Sequence, residues 1–467
     1  MKSLTRTLAA LIFCLTVAIG PGTKAQSAGA TASTSTQAAP GNAQTPPAVP
    51  SAETAVPLDA GQAKIALQEK ITKYTLPPER DAKARALSKV RLRTLLVGTI
   101  YGLVVLLLVL WWKWSAAFRD FAERISQKRW LQGLLFATLI TLAIDVLSLP
   151  LGIYQNYVER QYGLSVQGWA SWFGDWAKGE LVSVISSIIV VWILYAVIRK
   201  YPTRWWFYFW VACLPLILIL IFIQPLVIDP MFHKFEPLQS KDPALTAELE
   251  KMVQRAGEKI PPDRMFWMGA GEKTTTLNAY VTGFGASKRI VVWDTTIANM
   301  NTPQIVFVAG HEMGHYVLNH IVKGLAVAAV GLFILFYLAY RTIGWVLSRW
   351  GSAWGIRNVA DWASFPALLL VISVFSTIAQ PIGSTYSRYL EHQADQYGLE
   401  VTHGLTPDSG QVAAQAFNIL GNVGLSDPDP APWRVFWFYD HPAIPDRIQY
   451  SLHYDPWANG GHGEFVK

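Results

Sequence analysis

The run Val308-Ala309-Gly310-His311-Glu312-Met313-Gly314-His315 carries the residue types that hold and use a metal ion. Two histidines four positions apart stand one turn apart on a helix and project from one face. In that relation two imidazoles can share one Zn²⁺ at about 2.0–2.1 Å per bond. Glu312 follows the first of them directly, where its carboxylate reaches a water beside the ion rather than the ion itself. This is the H-E-x-x-H arrangement, in which the glutamate is the general base of hydrolysis. So short a pattern also recurs by chance, as two ordinary histidines on a polar helix face. Gly310 and Gly314 weigh against that plainer reading. Each costs a helix about 1 kcal/mol relative to Ala, and a helix keeps glycine where something must approach closely.

A third ligand is expected in Arg388-Tyr389-Leu390-Glu391-His392-Gln393-Ala394-Asp395. Glu391 and Asp395 are four apart and share a helix face. Glu391 is the expected ligand, giving two His and one Glu with a fourth position open, the shell of a catalytic zinc site. Asp395 is expected to accept from a ligand imidazole N–H and so fix its tautomer. A solvated helix face has the same spacing, but this helix starts where the chain leaves an apolar span that follows the histidine helix. His392 points elsewhere, and His320 reads as a neighbouring polar group. The two cysteines, Cys14 and Cys213, both lie in apolar runs. A metal must therefore be held by histidine and carboxylate.

The elements that position these residues follow from local signals. Pro303 to about Asn319 reads as one helix, with Thr302 as its N-cap and Pro303 in the first position. Lys241 to Lys259 reads as a helix and Arg289 to Trp293 as a strand. Asn278-Ala279-Tyr280 precedes a Gly-rich turn and that strand. A substrate peptide could pair there as an added strand, with Asn278 supplying side-chain hydrogen bonds; a plain hairpin is the other reading. The Gly- and Asp-rich C-terminal tail reads as loose.

Composition places all this in a membrane. The chain has 467 residues, 52% hydrophobic and only 15% charged, where soluble domains carry about 25% charged residues. Apolar runs near 94–112, 131–149, 181–198, 207–228, 324–347 and 363–383 approach the ~20 residues that cross ~30 Å of hydrocarbon. Twenty Trp residues, several at the ends of these runs, fit interfacial anchoring. The net charge of +7 sits in loops that set topology, which excludes a nucleic-acid partner and leaves the lipid bilayer as the surface partner.

Residues 1–25 read as a signal peptide or N-terminal anchor and 26–57 as a disordered Ala/Ser/Thr/Pro linker. Residues 58–93 form a basic helical segment, and 94–228 hold four spans. Catalytic pieces at 229–323 and 384–467 flank a membrane hairpin at 324–383. The fold class is mainly α, a multi-pass helical membrane protein with a small α+β zincin-like domain split by that hairpin. Basic loops at 113–130, 199–205 and 341–361 fall on one side if the spans alternate, and the positive-inside rule makes that side cytoplasmic. The site then faces the periplasm of a bacterial inner membrane, although the basic run at 83–93 argues the other way.

With these motifs, the chain resembles the type-one CAAX prenyl endopeptidases, membrane-embedded zinc metallopeptidases. Besides the two site motifs, the resemblance rests on Leu76–Arg80, Leu149–Tyr154, Asn278–Gly285, Lys288–Thr295, Asp440-His441-Pro442 and Arg447-Ile448. It covers most of the chain from about Tyr74 on. It implies a ring of spans around an intramembrane chamber with the zinc site facing it. It also implies that His441 stabilises the oxyanion of the tetrahedral intermediate and that Arg447 supports it. Eukaryotic members cut prenylated C-terminal peptides, so the expected substrate is a peptide or protein, lipidated or not. A quality-control protease of misfolded proteins would use the same site. A zinc-bearing scaffold without hydrolysis would have no need of Glu312.

Overall fold

The computed structural model describes residues 70–283, 287–458 and 460–466. The expected signal or anchor at 1–25, the linker at 26–57 and the start of the basic segment lie outside the described residues.

Among the described residues, six helices are long and apolar enough to cross a membrane. They are α1 (Pro78–Trp111), α3 (Arg129–Gln161), α4 (Trp169–Lys200), α5 (Trp205–Ile223, continued by a π-turn), α8 (His320–Trp350) and α9 (Phe365–Thr402). A short helix, α2 (Trp114–Ile125), follows α1. The spans close a cycle: α1 packs on α3, α3 on α4, α4 on α5, α5 on α8, α8 on α9, and α9 back on α1. Their shared core includes Leu106, Phe136, Val191, Tyr195, Phe336 and Leu368. Ile100, Leu181, Val330 and Ile382 are exposed aliphatic side chains on the spans, the surface that lipid covers.

All of these helices but α5 are longer than the bilayer is thick, α1 and α9 the most. At about 1.5 Å per residue, α1 and α9 run to roughly 50 Å or more, against ~30 Å of hydrocarbon. Pro78 starts α1 at the first position, where a backbone N–H would have no partner within the helix. The surplus at the start of α1 and the end of α9 packs into a second, mixed α and β part of the molecule.

That part contains α6 (Pro243–Arg255), α7 (Thr302–Val317), α10 (Ser409–Gly424), α11 (Pro432–Phe438) and α12 (Ile444–His453). A sheet covers one side, in the order β1 (Lys234–Pro237), β2 (Met265–Gly269), β4 (Arg289–Trp293), β3 (Ala279–Thr282). β2 and β4 run parallel, and β3 pairs antiparallel with β4 in the register Ala279↔Val292. β3 is thus the edge strand of a hairpin. Leu249, Met265, Val292, Phe307, Tyr397, Phe417 and Ile448 build the core between sheet and helices.

Four local expectations are corrected. Asn301, not Thr302, caps α7: its side chain accepts from Gln304 N–H while Gln304 returns a bond to the Asn301 backbone. α7 ends at Val317 because Asn319 takes a left-handed φ of 57°. The helix expected over 241–259 is shorter, Pro243–Arg255, since Asp242 caps it and Pro243 opens it. The tail is not loose at 464–466. The fully buried Glu400 carboxylate accepts the backbone N–H groups of Glu464, Phe465 and Val466 at 3.0, 2.6 and 2.8 Å.

Candidate metal centre

α7 and α9 cross at glycine. A Cβ on Gly310 would meet Val401 Cγ1 at 2.9 Å, and one on Gly314 would meet Tyr397 Cβ at 2.9 Å. From the other side, Gly398 lies against the backbone of His311. The helices therefore approach closely enough for the buried His311 and Glu391 and the half-buried His315 to meet.

His311 Nε2 and His315 Nε2 lie 3.2 Å apart. Glu391 Oε2 lies 3.3 Å from His311 Nε2, and Glu391 Oε1 lies 3.4 Å from His315 Nε2. A tetrahedral ion with bonds of about 2.0–2.1 Å separates its ligands by roughly 3.3–3.4 Å. The three donors are thus spaced as the corners of such a shell. Glu391 Oε2 is also buried with no hydrogen-bond partner, an arrangement that a cation would relieve. The residues fit a divalent metal.

The surroundings hold this arrangement from behind. Asp395 Oδ1 lies 2.8 Å from His311 Nδ1, and Asp395 also takes a two-pronged contact from the Arg447 guanidinium, Nε to Oδ2 at 2.8 Å. Arg447 sits on α12, which starts three residues earlier at Ile444. His320 Nδ1 lies 3.1 Å from His315 Nδ1. His392 is turned away and packs at a tilt on Tyr450, with ring centroids 4.3 Å apart. His441 places Nε2 3.2 Å from Glu391 Oε2, and its Nδ1 lies 2.9 Å from Asp440.

The charges respond to this crowding. Burial works against a charged His311, but the Asp395 and Glu391 carboxylates beside it outweigh that and push its pKa up to about 10. Burial opposes a charged His441 too, yet Glu391 and Asp440 push it up to about 9. A field that holds protons on imidazoles so firmly also favours a divalent cation in their place. Burial pushes the Glu312 carboxyl above its usual range, partly offset by His311 and His315.

A cavity of about 230 Å³ adjoins the donors, lined by Asn278, His311, Glu312, His441 and Arg447 among others. Thr296 pins the Asn278 backbone, its hydroxyl 2.8 Å from the N–H and 2.7 Å from the carbonyl. Ala279 is buried, and Tyr280 packs on the opposite sheet face with Phe235 and Phe266. The contact of His320 with His315 is what a reading by helix faces misses.

The family model described as "Peptidase family M48" matches residues 239–454. A second, described as "CAAX prenyl protease N-terminal, five membrane helices", matches residues 65–234. The chain is 37% identical over 343 residues to the uncharacterized metalloprotease YhfN of Bacillus subtilis, covering 72% of this chain and 77% of that one. It is 27% identical over 335 residues to CAAX prenyl protease 1 of Saccharomyces cerevisiae, covering 68% and 71%. The crystal structure of S. mikatae Ste24p has the same fold, with a TM-score of 0.68 at 24% identity over 84% of this chain and 93% of that one. On these grounds the chain belongs to peptidase family M48 and is a multi-pass membrane metalloendopeptidase.

Proposed function

We propose that the chain hydrolyses peptide bonds with one Zn²⁺ held by His311, His315 and Glu391. The observation that carries this reading is the convergence of those three donors, from two helices far apart in sequence, at tetrahedral spacing. When bound, zinc supplies a Lewis acid that polarises the scissile carbonyl and lowers the pKa of a water. Glu312 takes the proton from the attacking water and returns it to the leaving amine. Burial raises its proton affinity, which suits that exchange. His441 engages Asp440 through Nδ1, which leaves Nε2 directed at the site. There it donates to the oxyanion, a bond worth roughly 2.7–4 kcal/mol in the transition state. Asp395 orients His311, and Arg447 holds Asp395 in place.

The substrate peptide adds to the edge of β3. Asn278 meets it through its side chain, while Ala279 and Tyr280 offer backbone, since their side chains are turned into the protein. The relatives named CAAX prenyl protease 1 support a C-terminal, prenylated peptide as one substrate class. The adjoining membrane ring suits its lipid chain. We place the site on the periplasmic side of a bacterial inner membrane. The basic loops gather at the far end of the spans, where Arg357 pairs with Glu123 and Arg199 bonds the Ala360 carbonyl. Arg91 of the contrary basic run donates to the Gly424 carbonyl, and Arg80, just before that run, donates to the carbonyl of Asn422.

The test is cleavage of casein and of a farnesylated peptide by the purified full chain, with chelation and zinc re-addition. Glu312→Gln should retain one equivalent of metal and lose at least about 10²-fold in rate. Cleavage by that variant at the wild-type rate overturns the role given to Glu312.

A further inference from the structure

His320 stands where a continuous helix would not put it. Five residues beyond His315, it would lie about 140° round the helix axis from it. Instead α7 stops, Asn319 turns left-handed, and α8 starts afresh at His320. The turn brings the buried His320 ring, 3% exposed, against His315, with ring centroids 5.2 Å apart and Nδ1 facing Nδ1 at 3.1 Å. Its other nitrogen, Nε2, lies 3.2 Å from Gln393 Oε1. Gln393 Nε2 in turn lies 3.2 Å from the Tyr389 hydroxyl.

On the ligand set proposed above, these contacts fix each proton along the line. A neutral imidazole has one N–H, so with Nε2 given to the metal, His315 carries its proton on Nδ1. His320 must accept there, which leaves its own N–H on Nε2. That N–H donates to Gln393 Oε1, and the Gln393 amide donates on to Tyr389. We infer that His320 is a positioning residue of the metal centre, whose Nδ1 accepts from His315 and fixes its tautomer and ring angle, with Gln393 fixing the tautomer of His320. It does for His315 what Asp395 does for His311. One ligand is thus backed by an anion and the other by a neutral ring.

Full-length protein in detergent, stripped by chelator, would be titrated with Co²⁺ and read by its visible absorption. His320→Ala should weaken binding by roughly 10–100-fold, the usual loss for an outer partner of a ligating histidine. His320→Asn, whose Oδ1 can stand in for Nδ1, should recover most of it. Gln393→Leu should weaken binding, whereas Gln393→Glu, which keeps an acceptor, should not. A purely structural role would lower the melting temperature without sorting the variants by acceptor. Wild-type affinity in His320→Ala, alongside lost affinity in Glu391→Ala, overturns the inference alone. Retained affinity in Glu391→Ala as well removes the ligand set and the inference with it. If His320→Ala does not fold, equal affinity in the two Gln393 variants overturns it.

Discussion

Asp395 is shared between His311 and Arg447, and the two ways of breaking that sharing affect the metal differently. Asp395→Asn removes the anion behind His311, so metal affinity should fall by roughly 10–100-fold. Arg447→Ala leaves the anion in place but buried without its cation, a loss on the order of 3–5 kcal/mol. That variant should melt at lower temperature yet keep its metal when folded. Metal titration and thermal unfolding of both proteins would show whether the effects separate. A second prediction concerns pH. The folded-state pKa values of His311 and His441, about 10 and about 9, lie above the ordinary 6.5. Their contribution to metal-free stability is full below about 6.5 and is lost as pH rises through 9 and 10. Melting of the chelated protein should therefore fall across that window, and the zinc-loaded protein should fall less, because the ion replaces the proton. A flat profile for chelated protein would contradict this electrostatic picture. At this scale most of the site is legible in the sequence. The pairs 311/315 and 391/395 each share a helix turn, so spacing alone gives their common face.

Among the elements, the crossing of α7 and α9 decides whether the site exists. In an isolated helix Gly314→Ala would gain about 1 kcal/mol. Here the added methyl meets Tyr397 at 2.9 Å, and overpacking costs about 1–3 kcal/mol. The second effect should win: the variant should melt lower and retain less metal. A higher melting temperature with full metal content would refute the close crossing. The sequence announces that glycine approaches something here but not what. Tyr397 is remote in the chain and becomes a neighbour only through tertiary packing. Asn319 does carry a local signal, since Asn is among the few side chains that take the left-handed region, but nothing local says that the break brings His320 onto His315.

For the whole molecule, the two ends of the membrane ring carry different work. One end bears the site. At the other, Arg119 and Asp361 form a buried ion pair that joins α2 to the loop before α9. Asp361→Ala should cost about 3 kcal/mol, at the low end for a broken buried pair, since Asp120 still reaches Arg119 at 2.8 Å. The melting temperature should drop while metal affinity at the opposite end stays as in the wild type. Altered metal affinity in that variant would mean that the two ends are coupled. A reporter fused after Lys467 and active only in the cytoplasm would reverse the orientation proposed here.

By itself the sequence determined the six apolar runs, the histidine pair with its glutamate, and the acidic pair that meets them. Hydropathy, helical period and ligand chemistry are local properties, readable within one or two turns. Tertiary structure alone decided which glycine meets which neighbour, how His320 reaches His315, and how Glu400 ties down the tail. Those contacts join residues whose separation along the chain, or whose helix break, carries no periodic signature. They exist because close packing selects one arrangement among many that the pattern allows.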